Sequence, residues 1–219
     1  MVGAAFALLT DKAQRAGLDV LGILPLHQGD GFASGFRSLA LLGPDGPRFW
    51  AQFQTSPEAQ EDLANPVDRW SVRVLDGIAQ SLGGQAVYPF GHTPPLPFVT
   101  WAMRSGQCFV SAAHLLVHSR AGLWVSFRGA IAMTEPAPAT PTLQSPCQTC
   151  VDKPCLSACP VGAFDALGYD VASCHAYLDS VSGQPCMTLG CAARRACPLS
   201  KSYGRAPQQS EHHMKYFHP

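Results

Sequence analysis

The amino-acid sequence predicts a layered α/β or α+β domain followed by a smaller cysteine-rich module. Three observations support this: helix and strand patterns alternate over the first 135 residues, a proline-rich segment follows, and eight of the nine cysteines lie beyond it. Alternating elements bury their apolar faces against one another in layers. We therefore expect domains at 1–135 and 147–219, joined by a linker at 136–146.

The first domain opens with clear signals for a helix and two strands. Residues 6–17, FALLTDKAQRAG, predict a helix that ends at Gly17, because glycine commonly terminates helices. Residues 19–26, DVLGILPL, predict a short buried strand. Residues 36–46, FRSLALLGPDG, predict a second strand that runs into a turn.

A longer helical pattern and a further strand complete this domain. The helix is predicted from Pro57, with a pause at Asn65 and Pro66. Beyond the pause, one face carries Val67, Trp70, Val74 and Ile78. Residues 122–134, GLWVSFRGAIAMT, are rich in β-branched and aromatic residues and predict a strand.

Composition and charge exclude several classes of partner. Lys plus Arg and Asp plus Glu both number 15, so the formal net charge is zero. Sequence-independent nucleic-acid binding needs clustered positive charge, so we expect no nucleic-acid partner. No run of 18 apolar residues predicts a membrane span, and residues 1–17 resemble a helix rather than a signal peptide. We therefore expect a cytoplasmic protein with reduced thiols.

The residues best suited to bind metal are eight cysteines, two of which are directly followed by proline. In chain order they are Cys147, Cys150, Cys155, Cys159, Cys174, Cys186, Cys191 and Cys197. An iron–sulfur cluster of four irons is held by four thiolates, and a short loop can supply three of them. The count and the Cys-Pro endings at Pro160 and Pro198 predict two 4Fe-4S clusters. Cys108 stands outside the pattern, and we expect a small buried apolar side chain there.

Two other interpretations of the cysteines stay open at this stage. A structural zinc site uses paired cysteines or cysteines with histidines, and the segment EHHMKYFHP at 211–219 offers imidazoles. However, zinc ribbons favour two CxxC pairs, and only Cys147 and Cys150 form one. A disulfide framework is typical of secreted chains, for which no export signal is present.

The order of the cysteines resembles the double-cluster module of epoxyqueuosine reductases and the related corrinoid-dependent reductive dehalogenases. In epoxyqueuosine reductases, a block ending in Cys-Pro is followed by an isolated cysteine in a CxxYL context and then by a second Cys-Pro block. The isolated cysteine is matched here by CHAYL, from Cys174 to Leu178. The resemblance implies one cluster on Cys147, Cys150, Cys155 and Cys197, and another on Cys159, Cys174, Cys186 and Cys191. The gaps before Cys155, Cys191 and Cys197 are longer here than in that family.

A second resemblance concerns the segment LLVHSRAGLWVSFRGAIAM at 115–133. Its pattern of His118, Gly122, Trp124, Arg128 and Gly129 resembles the core motif of intracellular cobalamin-processing (decyanase/dealkylase) proteins. NPVDRW, at 65–70, is similar to a helix start in the same family. The resemblances imply a flavin-reductase/nitroreductase-like α+β domain, followed by a small, mainly helical bacterial-ferredoxin-like domain. They also imply a cobalamin or flavin pocket bordered by His118, Trp124 and Arg128.

The same three residues have ordinary interpretations as well. A lone histidine beside a strand is more often a hydrogen-bonded residue than a ligand, and tryptophan is common in apolar cores. Arg128 alternates with Phe127 on the expected strand, so it either faces solvent or pairs with an anion.

One departure from the reductase family bears on the reaction. Epoxyqueuosine reductases carry an Asp proton donor in a D-x-x-P-x-x-E segment, whereas the matching residues 93–106, TPPLPFVTWAMRSG, contain no carboxylate. The tRNA-modifying reaction is therefore not expected. We expect an iron–sulfur redox protein that takes electrons from a donor protein and passes them to a corrinoid or flavin. The alternatives are a non-catalytic ferredoxin-type carrier and a structural metal-binding interaction module.

Overall fold

The computed structural model describes residues 3–139, 141, 143–165 and 168–219. Its contacts divide the chain into two compact units, of which the first comprises residues 1–107 and 126–142 and the second residues 108–125 and 143–219. The division differs from the boundaries expected from the sequence, because residues 108–125 group with the cysteine-rich part of the chain.

The expected linker at 136–146 is described only in part. Its residues 136–139 are neither helix nor strand, in keeping with their proline content. Thr140 and Thr142 lie outside the described residues.

Both units mix helices and short strands. The helices, in chain order, are α1 (Ala4–Arg15), α2 (Gly46–Gln54), α3 (Pro57–Gln60), α4 (Pro66–Ser81), α5 (Phe98–Arg104), α6 (Pro154–Ser157), α7 (Val171–Leu178), α8 (Gln184–Leu189), α9 (Ala192–Ala196), α10 (Pro198–Tyr203) and α11 (Pro207–Phe217). The strands are β1 (Leu18–Pro25), β2 (Ser38–Pro44), β3 (Gln85–Val87), β4 (Cys108–Val110), β5 (Leu116–His118), β6 (Gly129–Met133), β7 (Phe164–Asp165) and β8 (Gly168–Tyr169). Over the described residues, no helix is long and apolar enough to cross a membrane.

The first unit is built on a four-stranded antiparallel sheet with the strand order β1-β2-β6-β3. Strand β2 is buried along its whole length, because β1 and β6 pair with its two edges. Leu39 pairs with Ala132 and Leu41 with Ala130. The strands predicted within 19–26 and 36–46 are confirmed as β1 and β2, and the fold is α+β. The turn expected at the end of the second strand is wrong, because Gly46 begins α2.

Helix α1 follows from the spacing of its apolar residues. Phe6, Leu9 and Ala13 recur at intervals of three and four residues and are buried on one face. Gly17 follows with a φ of +73°, and a Cβ there would lie 3.0 Å from the Cα of Phe49. Only glycine fits such a turn without strain, so the predicted helix end is confirmed.

The helix predicted from Pro57 is confirmed as two helices. Asn65 has a left-handed backbone with a φ of 51°, which separates α3 from α4, and Pro66 occupies the first turn of α4. The predicted face of α4 is directed inward: Val67, Trp70 and Ile78 are buried, with Val74 partly covered.

The second unit packs two small hairpins with short helices. Strands β4 and β5 pair so that Cys108 lies opposite His118, and β7 pairs with β8. Its core cluster consists of Ala113, Val117, Leu123, Cys155, Phe164, Ala193 and Cys197. Cys155 and Cys197 therefore occupy core positions of the kind that larger apolar side chains fill in most domains.

The strand predicted at 122–134 is correct only over β6. Gly122 has a φ of +58°, and a Cβ on it would lie 2.5 Å from the backbone nitrogen of Ser200. The Leu123 amide donates to Ser200 Oγ at 2.9 Å. These contacts hold residues 122–123 against α10 in the second unit, so the chain enters the sheet only at Gly129.

Candidate metal-binding site

Four cysteines surround one cavity of the second unit. The cavity has a volume of about 280 Å³ and is lined by Cys147, Cys150, Cys155 and Cys197. Most of the other lining residues are apolar, among them Val117, Leu123, Pro146, Pro154, Pro198 and Leu199. We call these four cysteines the first thiol group.

Local structure explains how the chain brings the first thiol group together. Cys147 lies in a turn, and Cys155 lies on α6, which begins after Lys153 adopts a left-handed backbone with a φ of 39°. Cys197 directly precedes α10, whose first residue is Pro198. Pro154 and Pro198 are the first residues of their helices, where the missing N–H of proline costs nothing.

The pKa of Cys155 shows that these thiols influence one another. Burial raises the pKa of the Cys155 thiol, and the neighbouring thiols of Cys147, Cys197 and Cys150 raise it further. Such mutual effects act over short distances, since charge on one sulfur disfavours charge on the next. The Cys155 thiol therefore gives up its proton less readily than a free cysteine unless a positive centre lies beside it.

The remaining four cysteines form the second thiol group: Cys159, Cys174, Cys186 and Cys191. Burial raises the pKa of the Cys174 thiol, and Cys191, Cys159 and Cys186 add to the increase. The Tyr169 hydroxyl donates a hydrogen bond to the Cys174 sulfur, which lowers that pKa in part. The thiols that act on Cys155 and those that act on Cys174 thus form two separate sets, each with three partners.

Further donors are directed at the sulfurs of the second thiol group. The Ala163 amide donates to Cys159 Sγ at 3.3 Å. The amides of Arg194 and Ala193, in the first turn of α9, donate to the Cys191 sulfur and lower its pKa, against the larger effect of burial. Donors of this kind stabilise negative charge on sulfur.

Arg194 places a positive charge beside the second thiol group. Burial lowers the pKa of its guanidinium, and Cys191 and Tyr169 act in the opposite direction. Its Nη1 donates to the carbonyl of Leu123 at 3.0 Å, and within the described part of the chain no carboxylate pairs with it. A partly buried cation without a carboxylate partner favours negative charge nearby, so Arg194 would stabilise thiolate forms of the neighbouring sulfurs.

The donor set offers thiol sulfurs in the number that two four-iron clusters require. All nine cysteines are described, and none forms a disulfide. Among the described residues, no group of three or more His, Cys, Asp or Glu side chains is arranged to hold a metal ion. The first thiol group instead lines a cavity, as expected where each thiolate binds a different iron of one cluster.

His118 lies at the end of β5 and is 1% exposed. Its Nδ1 accepts hydrogen bonds from the amides of Arg120 and Ala121, at 3.0 and 3.1 Å. The ring therefore holds the turn that leads to Gly122 in place, which is an ordinary structural role.

Trp124 is buried in the second unit, with an exposure of 8%. The Arg205 guanidinium carbon lies 5.0 Å from the centre of its ring, within range of a cation–π contact. A Cβ on Gly190 would lie 2.8 Å from the ring edge, so the backbone there packs directly on the indole.

Arg128 lies in the first unit, whereas His118 and Trp124 lie in the second. It directly precedes β6 rather than alternating on a strand, which corrects the expectation from the sequence. Its side chain is 12% exposed, and Nη1 pairs with the Asp68 carboxylate at 3.2 Å. Arg128 is therefore an anion partner, and the anion is Asp68 on α4.

Cys108 is separate from both thiol groups. It is 2% exposed, and burial raises the pKa of its thiol to about 12. A thiol of this kind stays protonated at neutral pH and behaves as an apolar residue, as the sequence suggests.

Sequence reasoning missed Tyr169 and Arg194. A signal for Arg194 was present, because the basic pair at 194–195 stands between two cysteines in CAARRAC. No comparable signal marks Tyr169, since only the pairing of β7 with β8 brings its hydroxyl to Cys174.

No protein-family model matches the sequence, and no curated protein sequence matches it significantly.

Proposed function

We propose that the two thiol groups each hold one 4Fe-4S cluster and that the protein transfers electrons. The observation behind this proposal is the sorting of eight cysteines into two sets of four, each drawn from distant parts of the sequence. Such clusters, when bound, accept and release single electrons. Ligation of each cluster by four thiolates would use all eight of these cysteines. The negative charge of those thiolates would also balance the cation of Arg194.

The residues of the second unit would prepare the sites for this role. Apolar side chains around the first thiol group would exclude water, and the Cys155 thiol, whose pKa is raised, would release its proton as iron binds. Hydrogen-bond donors and Arg194 would stabilise the charge on the second thiol group.

The finer parts of the proposal come from the resemblances. They are a flavin-reductase/nitroreductase-like first domain, a bacterial-ferredoxin-like cluster domain, and a corrinoid or flavin as the electron acceptor. The four-stranded antiparallel sheet and the short helices of the second unit support the coarser α+β class on which these depend. A redox donor protein would supply the electrons.

The grouping of the thiols is tested by two double variants that remove the same number of cysteines. Cys150→Ser with Cys197→Ser removes two members of one group, whereas Cys150→Ser with Cys191→Ser removes one from each. We expect the first variant to keep about four irons per chain and the second to keep few or none. Equal iron contents would contradict the grouping, and Cys108→Ala should leave the iron content unchanged.

A non-catalytic electron carrier is the second candidate function. It is favoured by the intramolecular contacts of Trp124 with Arg205 and of Arg128 with Asp68, which give these residues structural roles. Titration of the iron-loaded protein with cobalamin, and separately with flavin mononucleotide, distinguishes the two functions. Saturable binding that His118→Ala weakens at constant iron content supports the cofactor pocket, whereas its absence supports the carrier.

A further inference from the structure

The two thiol groups differ in the chemistry that surrounds their sulfurs. Around the first thiol group, the lining is apolar apart from Ser111, Thr149 and Lys153, and the lysine is exposed to solvent. Burial is the largest influence on Cys155, followed by its fellow thiols. Water screens the charge of an exposed lysine, so this environment offers little to stabilise added negative charge.

The second thiol group is surrounded by donors and lies beside the partly buried guanidinium of Arg194. The Tyr169 hydroxyl bonds to Cys174, the Ala163 amide lies 3.3 Å from Cys159 Sγ, and two amides of α9 are directed at Cys191. Within the described residues no carboxylate pairs with Arg194, so its charge is not neutralised by a salt bridge. Tyr169 is itself held by its ring stacking on Phe164, at 4.7 Å between centroids.

This difference has a direct effect on reduction. Reducing a cluster adds one negative charge to the metal and its sulfurs. Hydrogen bonds to the sulfurs and a nearby cation stabilise that charge, most strongly where water is excluded. The apolar cavity, in which a backbone amide donates to Cys155 and no partly buried cation among the described residues lines the wall, stabilises that charge less.

We infer that the second thiol group holds the cluster of higher reduction potential and that Tyr169 and Arg194 tune it. The inference rests on the proposed function, since it requires both clusters. In a chain that carries a single added electron, that electron then resides on the cluster of the second thiol group. The first cluster becomes reduced only at lower potential.

The test is a redox titration of the anaerobically loaded protein followed by electron paramagnetic resonance. The wild type should show two one-electron steps. Tyr169→Phe removes one hydrogen bond to a charged acceptor, so we expect the higher step alone to shift downward. A roughly tenfold change in the ratio of reduced to oxidised cluster corresponds to about 59 mV.

Tyr177→Phe is the matched control. Tyr177 lies on α7 with Cys174, but its hydroxyl donates to the carbonyl of Ser182 rather than to a sulfur. Tyr177→Phe should leave the potentials of both steps unchanged.

Two variants of Arg194 test the contribution of its charge. Arg194→Lys keeps the positive charge, whereas Arg194→Met removes it, so the first should shift the higher step less than the second.

The double variant Cys150→Ser with Cys197→Ser assigns the steps, because it keeps only the second thiol group intact. Its remaining cluster should titrate at the higher wild-type potential. The inference is overturned if the remaining cluster titrates at the lower potential. It is also overturned if Tyr169→Phe shifts only the lower step or neither step. Both outcomes leave the proposed function intact. Protein without iron overturns the proposed function instead.

Discussion

The two compact units of this chain are stabilised in different ways. Among the described residues, the twelve largest fully buried side chains include only Leu123 from the second unit, and the others, such as Trp101 and Phe49, belong to the first. The first unit also has the four-stranded sheet. The second unit has two-stranded pairs, short helices and a core in which Cys155 and Cys197 are buried.

The second unit has few large buried apolar side chains among its described residues, so its free energy of folding needs another source. Small cores without large apolar side chains rarely fold alone, and disulfides or metals usually provide the missing free energy. Its cysteines form no disulfide, and under the proposed function bound iron would supply this free energy. We therefore expect the first unit to fold independently of iron and the second to depend on it.

Removal of iron should have the largest effect. Binding of metal to thiolates can contribute about 10 kcal/mol to folding, which exceeds the stability of most small domains. After anaerobic chelation, hydrogen exchange in peptides from residues 143–219 should rise to unfolded rates. Peptides from β2 and β6, in the first unit, should keep their protection.

The result that would contradict this account is equal loss of protection in both units, or none in either. Equal loss would mean that the first unit has no stability of its own. No loss would mean that the thiols pack as an ordinary core.

Gly122→Ala should destabilise the second unit. Its φ of +58° is unfavourable for alanine, and the added Cβ would lie 2.5 Å from the Ser200 nitrogen. Strain of this kind costs about 1–3 kcal/mol, and the clash with backbone adds to it. Thermal unfolding of the iron-loaded protein should show a lower midpoint for the second unit only.

Gly29→Ala is the control for that variant, since no atom lies within 4 Å of the added Cβ. It should leave both midpoints nearly unchanged. If Gly122→Ala instead lowered the midpoint of the first unit, residues 108–125 would belong with the sheet after all.

The smallest expected effect concerns an ion pair of the first unit. Two hydrogen bonds from Arg73 hold the pKa of Glu58 down at about 2, against the opposing effect of burial. A folded pKa below the unfolded one gives stability that is present above about pH 4.5 and is lost as the pH falls toward 2. The first unit should therefore weaken over this acid range.

Glu58→Gln should reduce this acid dependence and cost about 1–2 kcal/mol at neutral pH, since Arg73 is half-exposed. Denaturant unfolding at several pH values measures both effects. Glu61→Gln removes the more exposed pair with Arg69 and should cost about 0–1 kcal/mol. Identical acid profiles for the wild type and Glu58→Gln would rule out this role for Glu58.

Much of the first unit could be predicted because its signals are local. The apolar spacing that begins at Phe6 and the stop at Gly17 define α1, and the left-handed Asn65 marks the break before α4. The strand predicted at 122–134 was wrong before Gly129, because contacts with Ser200, distant in sequence, override the β-propensity of Trp124 and Val125.

The cysteine set could be named from the sequence, but its surroundings could not. Count and spacing single out the eight cysteines, and the resemblance implies their division. The donor at Tyr169 depends on the β7–β8 pairing, and the cation at Arg194 depends on the bond from its side chain to Leu123. Neither contact follows from a periodic pattern.

The central claim is that two four-iron clusters are bound by the eight cysteines of the second unit. Mössbauer spectroscopy of the protein loaded anaerobically with ⁵⁷Fe tests it most directly, because the spectrum identifies the type of every iron present. We predict that nearly all the iron, about eight atoms per chain, gives the signal of thiolate-bound 4Fe-4S clusters. A spectrum of isolated iron ions, or a protein that binds zinc in place of iron, would contradict the claim.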